Sequence, residues 1–201
     1  GVMLLPDQPG PHPRMLVSAG KNGTIDLTDR DNMGHFNPAN DSQIVQSLVD
    51  IFPFGTPEPG NYSAPVYFNG TVYFSPVADS IQAFRLNNGR FDTTPTSRSS
   101  RIFQYPGGTL ALSASGNTNG ILWALERRSN SSGALRAYDA NDLGNELYNS
   151  DQAGTRDVLD EVVKFTNKAR REGIIALEKD ATGIKDEFFR KSITMAVDGA
   201  E

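Results

Sequence analysis

The sequence contains no cysteine, which excludes disulfides, thiolate metal sites and cysteine nucleophiles. Such a chain fits a cytosolic protein, and also a large exported repeat domain that needs no covalent staples. No apolar run approaches the roughly 20 residues that a membrane-spanning helix requires. The opening Gly1-Val-Met-Leu-Leu-Pro lacks the charged leader and the apolar length of a signal peptide. A start at glycine is expected of a fragment. Positive charge is not in excess either: the formal net charge is -5. No basic face for nucleic acid or an anionic membrane is therefore expected. The 201 residues suffice for one or two domains with a sizeable core.

Two further scarcities are local, and together they mark a seam near residue 157. Residues 1–156 hold all 12 prolines and 16 of the 19 glycines, but only one lysine, Lys21. Residues 157–201 hold no proline, three glycines and five lysines. Charge does not change across the seam, with 11 basic against 14 acidic side chains before it and 8 against 10 after it. The first part reads as short strands and turns, the second as amphipathic helices.

What is present before the seam repeats. Asn-Gly occurs at Asn22-Gly23, Asn69-Gly70 and Asn119-Gly120, each followed by apolar residues such as Thr71-Val-Tyr-Phe74 and Ile121-Leu-Trp-Ala124. Asn-Gly suits the two positive-φ positions of a type I′ hairpin turn. A second signal lies in phase with it. Asp29-Arg-Asp-Asn-Met-Gly34 and Asp139-Ala-Asn-Asp-Leu-Gly144 follow strands, and Arg85-Leu-Asn-Asn-Gly89 takes the same place after Ile81-Gln-Ala-Phe84. Each predicts a strand ending in an Asx-type turn closed by glycine. A strand-and-turn period of roughly 40–50 residues is the mark of a propeller blade. The segment Asn87–Ser100, rich in Thr, Ser and Arg, is expected to be an exposed connection.

The stretch Gly133-Ala-Leu-Arg-Ala-Tyr-Asp139-Ala-Asn-Asp-Leu-Gly144-Asn-Glu-Leu-Tyr148 resembles the blade motif of bacterial quinoprotein-like propellers, the pyrroloquinoline quinone repeats. The turn is one residue longer than that motif, and Tyr148 stands where the family has tryptophan. The resemblance covers residues 14–156 and implies a mainly β fold with about three blades of an incomplete propeller. Residues 1–13 are expected to be disordered or an incomplete segment. Quinone dehydrogenases of that superfamily have a complete ring, a calcium-held cofactor and often a vicinal disulfide, which this chain does not match. The implied role is a binding or scaffold propeller. Propellers close with about four to eight blades. Three blades leave open edges through which the chain could self-associate.

Individual residues before the seam have ordinary readings. Asp29, Asp31 and Asn32 could begin a calcium loop, but Met33 breaks the ligand pattern and turn capping is the better reading. His12 and His35 have no neighbour at metal-ligand spacing and read as loop histidines. Trp123 reads as core packing with Leu122 and Leu125.

Past the seam the period becomes helical. Leu159, Val162, Val163, Thr166, Gly173, Ile174 and Leu177 share one side of a wheel, and Asp160, Lys164, Lys168, Arg171 and Glu178 the other. A helix is predicted over about 157–181, capped by Asp157 and stopped by Gly183. A second begins near Asp186. Arg170 lies about 20° from Leu159, inside the apolar side, where its stem could cover apolar surface.

Ala169-Arg-Arg-Glu-Gly173-Ile-Ile-Ala-Leu-Glu178, then Asp186-Glu-Phe-Phe-Arg-Lys191 and Val197-Asp-Gly199, resembles the cytoplasmic segment of the flagellar stator family MotA, within the MotA/TolQ/ExbB proton-channel superfamily. The likeness covers residues 162–201. It implies that Arg170 and Glu178 contact a rotor protein. The membrane helices and ion path of that family are absent from this sequence, so the likeness implies contact without ion conduction.

Three domains are expected: 1–13, 14–156 and 157–201. No linker-type spacer separates the last two, and the compartments they imply differ. The propeller part suggests the periplasm or exterior, and the helical part the cytoplasmic side of the inner membrane. The reading is a chimera or fragment, and not an enzyme. Its leading function is a propeller-type binding or structural domain carrying a MotA-like helical segment. The alternatives are a stator-derived fragment that contacts the rotor and a fragment of a quinone-dependent dehydrogenase. No catalytic, metal or cofactor residue is assigned, and no cofactor is expected.

Overall fold

The computed structural model of the protein describes residues 1–53, 60–128, 133–150, 155–184 and 187–197. The chain forms two compact units, Gly1–Leu147 and Tyr148–Glu201.

The first unit is mainly β and contains three antiparallel sheets. β1 (Val2–Leu4), β2 (Met15–Ala19), β3 (Ile25–Asp29) and β4 (Gln46–Leu48) pair in chain order. β1, within residues 1–13, is an element the sequence reading did not include; Val2 pairs with Ser18 and Leu4 with Leu16. The second sheet holds β5 (Val66–Phe68), β6 (Thr71–Phe74), β7 (Asp79–Asn87), β8 (Arg90–Phe91) and β9 (Ser97–Phe103). β8 and β9 both pair with β7. The stretch 87–100, expected to be a loop, thus contributes two strands. The third sheet runs β10 (Gly108–Ser115), β11 (Thr118–Arg127), β12 (Gly133–Asp139) and β13 (Asp142–Asn149).

Alternation of side chains sets which face each sheet buries. In the first sheet Met15, Val17, Ala19, Ile25 and Leu27 are buried, while the residues between them are half-exposed. They pack on Val72, Phe74, Phe84, Leu86 and Phe91 of the second sheet. Phe74 meets Phe52, Phe84 and Phe91 with ring centroids 5.6, 5.9 and 6.4 Å apart. The other face of the second sheet presents Tyr73, Ile81, Ala83 and Phe103 to Leu122, Ala124, Tyr138 and Leu143 of the third. The middle sheet is therefore covered on both faces, which is why β5 and β6 read as nearly continuous apolar runs. Among the described residues the sheets do not close into a barrel.

Turn chemistry is only partly as predicted. Asn69 and Gly70 take φ of 46° and 80°, and Phe68 pairs with Thr71, as a type I′ hairpin requires. Asn88-Gly89 makes a second such hairpin, with φ of 49° and 75° between paired Asn87 and Arg90. The other two Asn-Gly dipeptides do not form two-residue hairpin turns. Asn22-Gly23 lies in a longer loop between Ala19 and Ile25. Asn119-Gly120 lies inside β11, whose hairpin is turned at Gly116-Asn117 between Ser115 and Thr118. Gly120 serves close approach instead: a Cβ there would sit 2.4 Å from Phe68 Cε1. The Asx turns are present, with Asp31 N–H donating to Asp29 Oδ1 and Asn141 N–H to Asp139 Oδ1. Gly144 lies within β13 and does not close its turn.

The second unit is helical. α1 (Thr155–Glu172) ends at Gly173, whose φ of 85° and ψ of 161° suit only glycine. A 3-10 turn (Ile174–Leu177), α2 (Glu178–Ala181) and α3 (Glu187–Val197) follow. The single helix expected over 157–181 is thus broken, and the break redefines its buried side. Phe165 is buried with Leu177 and Ile184, and Ala169, Phe189 and Ile193 pack around them. Val162 and Val163, assigned to the apolar side, are exposed. The Phe165 and Phe189 rings meet edge-on at 5.6 Å. Lys168 Nζ donates to Asp180 Oδ2 at 2.7 Å, which fastens α1 to α2.

Candidate functional site

Arg170, on the last turn of α1, and Glu178, the first residue of α2, are both exposed. Arg170 rims a groove of about 370 Å³ with Val162, Phe165, Ala169 and Phe189. Glu178 rims another, of about 540 Å³, with Thr182, Arg190, Lys191 and Thr194. The break at Gly173 places the two residues on different helices, α1 and α2.

The acidic turn after β3 is engaged within the protein. Asp29 Oδ2 lies 2.8 Å from His12 Nδ1, and Arg14 Nε donates to Asp31 Oδ2 at 2.8 Å. His12 therefore has a carboxylate partner that its sequence neighbours do not reveal. Among the described residues no group of three or more His, Asp or Glu side chains could hold a metal ion. Trp123 is half-buried on the face of β11 opposite Leu122 and Ala124, and donates Nε1–H to Ser113 Oγ at 2.9 Å. It lies outside the core cluster that Leu122 joins.

A polar pocket of about 270 Å³ opens where the second and third sheets meet. Ile81, Ala83 and Arg85 alternate onto one face of β7, so the strand carries its guanidinium to the pocket rim while its apolar residues enter the core. The guanidinium lies over the Asn69-Gly70 turn: a Cβ on Gly70 would be 3.6 Å from Arg85 Cζ. Tyr73 O–H donates to the Ala140 carbonyl at 2.6 Å and ties the two sheets together beneath. Burial pushes the Tyr73 phenol up to about 12, so it stays a neutral donor. Ser97 Oγ accepts from Leu143 N–H at 2.8 Å, and Thr96 Oγ1 donates to the Ala83 carbonyl at 3.2 Å. Asn141 gives one amide hydrogen to Asp139 Oδ1. Arg85 has no ion-pair partner among the described residues. The signal in the sequence was a lone cation in register with Ile81 and Ala83; what it faces was not readable.

A second polar group is buried beside this seam. Glu126 of β11 accepts from Arg101 of β9, with Nε at 3.0 Å from Oε1, and from Arg136 Nε of β12 at 2.9 Å. Arg136 Nη1 continues to Glu146 Oε1 of β13 at 2.6 Å. Burial alone would raise the Glu126 carboxyl, but the hydrogen bonds from Arg101 and Arg136 outweigh it and hold the group below the usual range. Burial raises the nearby Tyr138 phenol, whose hydroxyl is enclosed without a hydrogen-bond partner. With both carboxylates satisfied by guanidinium groups, this network joins strands across two sheets and offers no free acid or base.

No protein-family model matches the chain, and no curated protein does. Among solved structures the chain is similar to the crystal structure of the computationally designed protein Ika8, at 15% sequence identity and a TM-score of 0.41. The match covers 67% of this chain and spans 33% of the length of that protein.

Proposed function

We propose that the protein is a non-enzymatic binding or structural domain of propeller type, carrying a MotA-like helical segment. The observation that carries this reading is the succession of three antiparallel sheets packed face to face through two hydrophobic layers. Adjacent propeller blades would pack in this way, face to face through apolar layers. Addition of pyrroloquinoline quinone with calcium is expected to leave the melting temperature unchanged. A saturable rise would overturn the non-enzymatic reading in favour of a quinone-dependent dehydrogenase fragment. Concentration-dependent sedimentation is the expected sign of self-association through open sheet edges.

A second reading is favoured by one observation: Arg170 and Glu178 are both solvent-exposed in the helical unit. In this reading they contact a rotor protein by charge pairing, without ion conduction. A rotor pull-down that is lost on Arg170→Glu and kept after deletion of the β unit would support it. Equal capture by the wild-type chain and Arg170→Glu would remove it.

A further inference from the structure

We propose that the pocket between the second and third sheets binds a small monocarboxylate that also carries a hydroxyl or ammonium group. Arg85 and Asn69 hold the anionic end, and the side-chain carbonyl of Asn141 receives the donor. The inference rests on the binding-domain reading and names a ligand class for it.

Three observations carry it. The first is an inventory of what remains uncommitted. Of the polar groups lining the pocket, Tyr73, Thr96 and Ser97 are occupied with backbone partners, and the Thr71 side chain is engaged with Tyr73. The Arg85 guanidinium and the Asn69 amide have no hydrogen bond among the described residues, and Asn141 retains its carbonyl. A guanidinium offers paired donors in a planar fork, which matches a planar carboxylate in bidentate geometry. The second is rigidity. The fork lies over a type I′ turn whose backbone is pinned by Leu86 N–H donating to the Gly70 carbonyl at 2.8 Å. The floor is pinned by the Tyr73 to Ala140 bond. The scaffold under the fork is thus fixed, while the exposed Asn69, Arg85 and Asn141 side chains order when the ligand binds.

The third is charge. Asp139 and Asp142 lie beside the lining residues Asn141 and Ser97, and their Oδ1 atoms accept from Asn141 N–H and from Gly144 N–H of β13. Against one arginine they make the surroundings unfavourable for a dianion such as a phosphate monoester or a dicarboxylate. They favour a ligand whose single negative charge sits at Arg85 and whose other end is a donor. The volume of about 270 Å³ is just below the roughly 300–1,000 Å³ range of small-molecule sites, which matches an α-hydroxy or α-amino acid.

The test is a titration of the full chain followed by NMR, with lactate, alanine, acetate and inorganic phosphate as separate probes. Lactate or alanine is expected to give saturable shifts at the Asn69 and Asn141 side-chain amides, with tighter binding than acetate. Phosphate is expected to bind least. Arg85→Gln should weaken lactate binding by about tenfold or more, and Arg85→Lys should fall between because it loses the fork. Arg90→Gln, on β8 outside the pocket, should bind as the wild type does. Absence of saturable shifts with both lactate and alanine, equal affinity in Arg85→Gln, or phosphate binding as tightly as lactate would each overturn the proposal. The binding-domain reading is decided separately, by the melting response to pyrroloquinoline quinone, so the two failures are distinguishable.

Discussion

Arg136 Nε donates to Glu126 Oε2 across 2.9 Å, and the two side chains are only 4% and 2% exposed. Breaking a buried pair by removing one member leaves a charge without compensation, at a cost of about 3–5 kcal/mol. Glu126→Ala is therefore expected to lower stability by about that much in urea denaturation. The double variant Glu126→Met/Arg136→Met should recover part of the loss, because it removes both buried charges while Arg101 and Glu146, left without these partners, are partly exposed to solvent. A double variant no better than the single one would show that the network is worth more than its packing volume.

Acid should weaken the β unit through identifiable carboxylates. The Asp29 carboxyl is held below its ordinary 3.8, first by its hydrogen bond with His12 and then by the Asp31 backbone N–H. Glu126 is likewise held below its ordinary 4.5. In both cases the folded value lies beneath the unfolded one. Their contribution is fully present above the unfolded value and is lost as pH falls through the folded one. Urea midpoints should therefore decline as pH drops below about 4.5, and Asp29→Asn should decline less steeply. An identical acid slope in Asp29→Asn would remove that residue from the account.

Gly173→Ala isolates backbone strain. A Cβ at Gly173 would meet nothing within 4 Å, so no steric clash contributes. Its φ of 85° and ψ of 161° are nevertheless closed to other residues. The expected cost to the helical unit is about 1–3 kcal/mol, read as a lower midpoint in the helical circular dichroism melt. An unchanged melt would mean that the reversal after α1 can form with ordinary backbone angles.

Gly120→Ala tests the seam between the second and third sheets. The added Cβ would sit 2.4 Å from the Phe68 ring, inside a packed layer. Overpacking of this kind costs about 1–3 kcal/mol. Because Phe68 also lines the polar pocket, lactate affinity should fall together with stability. A neutral effect on both would show that the Phe68 ring moves aside freely.

Much of the local structure was legible in the chain. Asn69-Gly70 announces its hairpin because positive φ at both positions is a property of those two residues and their immediate neighbours. The same dipeptide at Asn119-Gly120 misleads, because there the glycine is selected by a ring arriving from Phe68, far earlier in the chain. His12 with Asp29, and Arg101 with Glu126, were equally hidden: each pair is joined only once strands lie side by side. The wheel already sets Arg170 and Glu178 on different sides, but the break at Gly173 that puts them on separate helices shows only in three dimensions.

A strand-rich part followed by a helical part is already written in the order of residues. Periods of two and of 3.6 residues are written in the order of apolar side chains, and turn residues act within a few positions. Tertiary structure alone decided which face of β7 meets the third sheet. It thereby placed Arg85 over a turn beside Asn141 and buried Glu126 among arginines. Burial and Coulomb interaction depend on distance through space, and neighbours drawn from far along the chain set those distances.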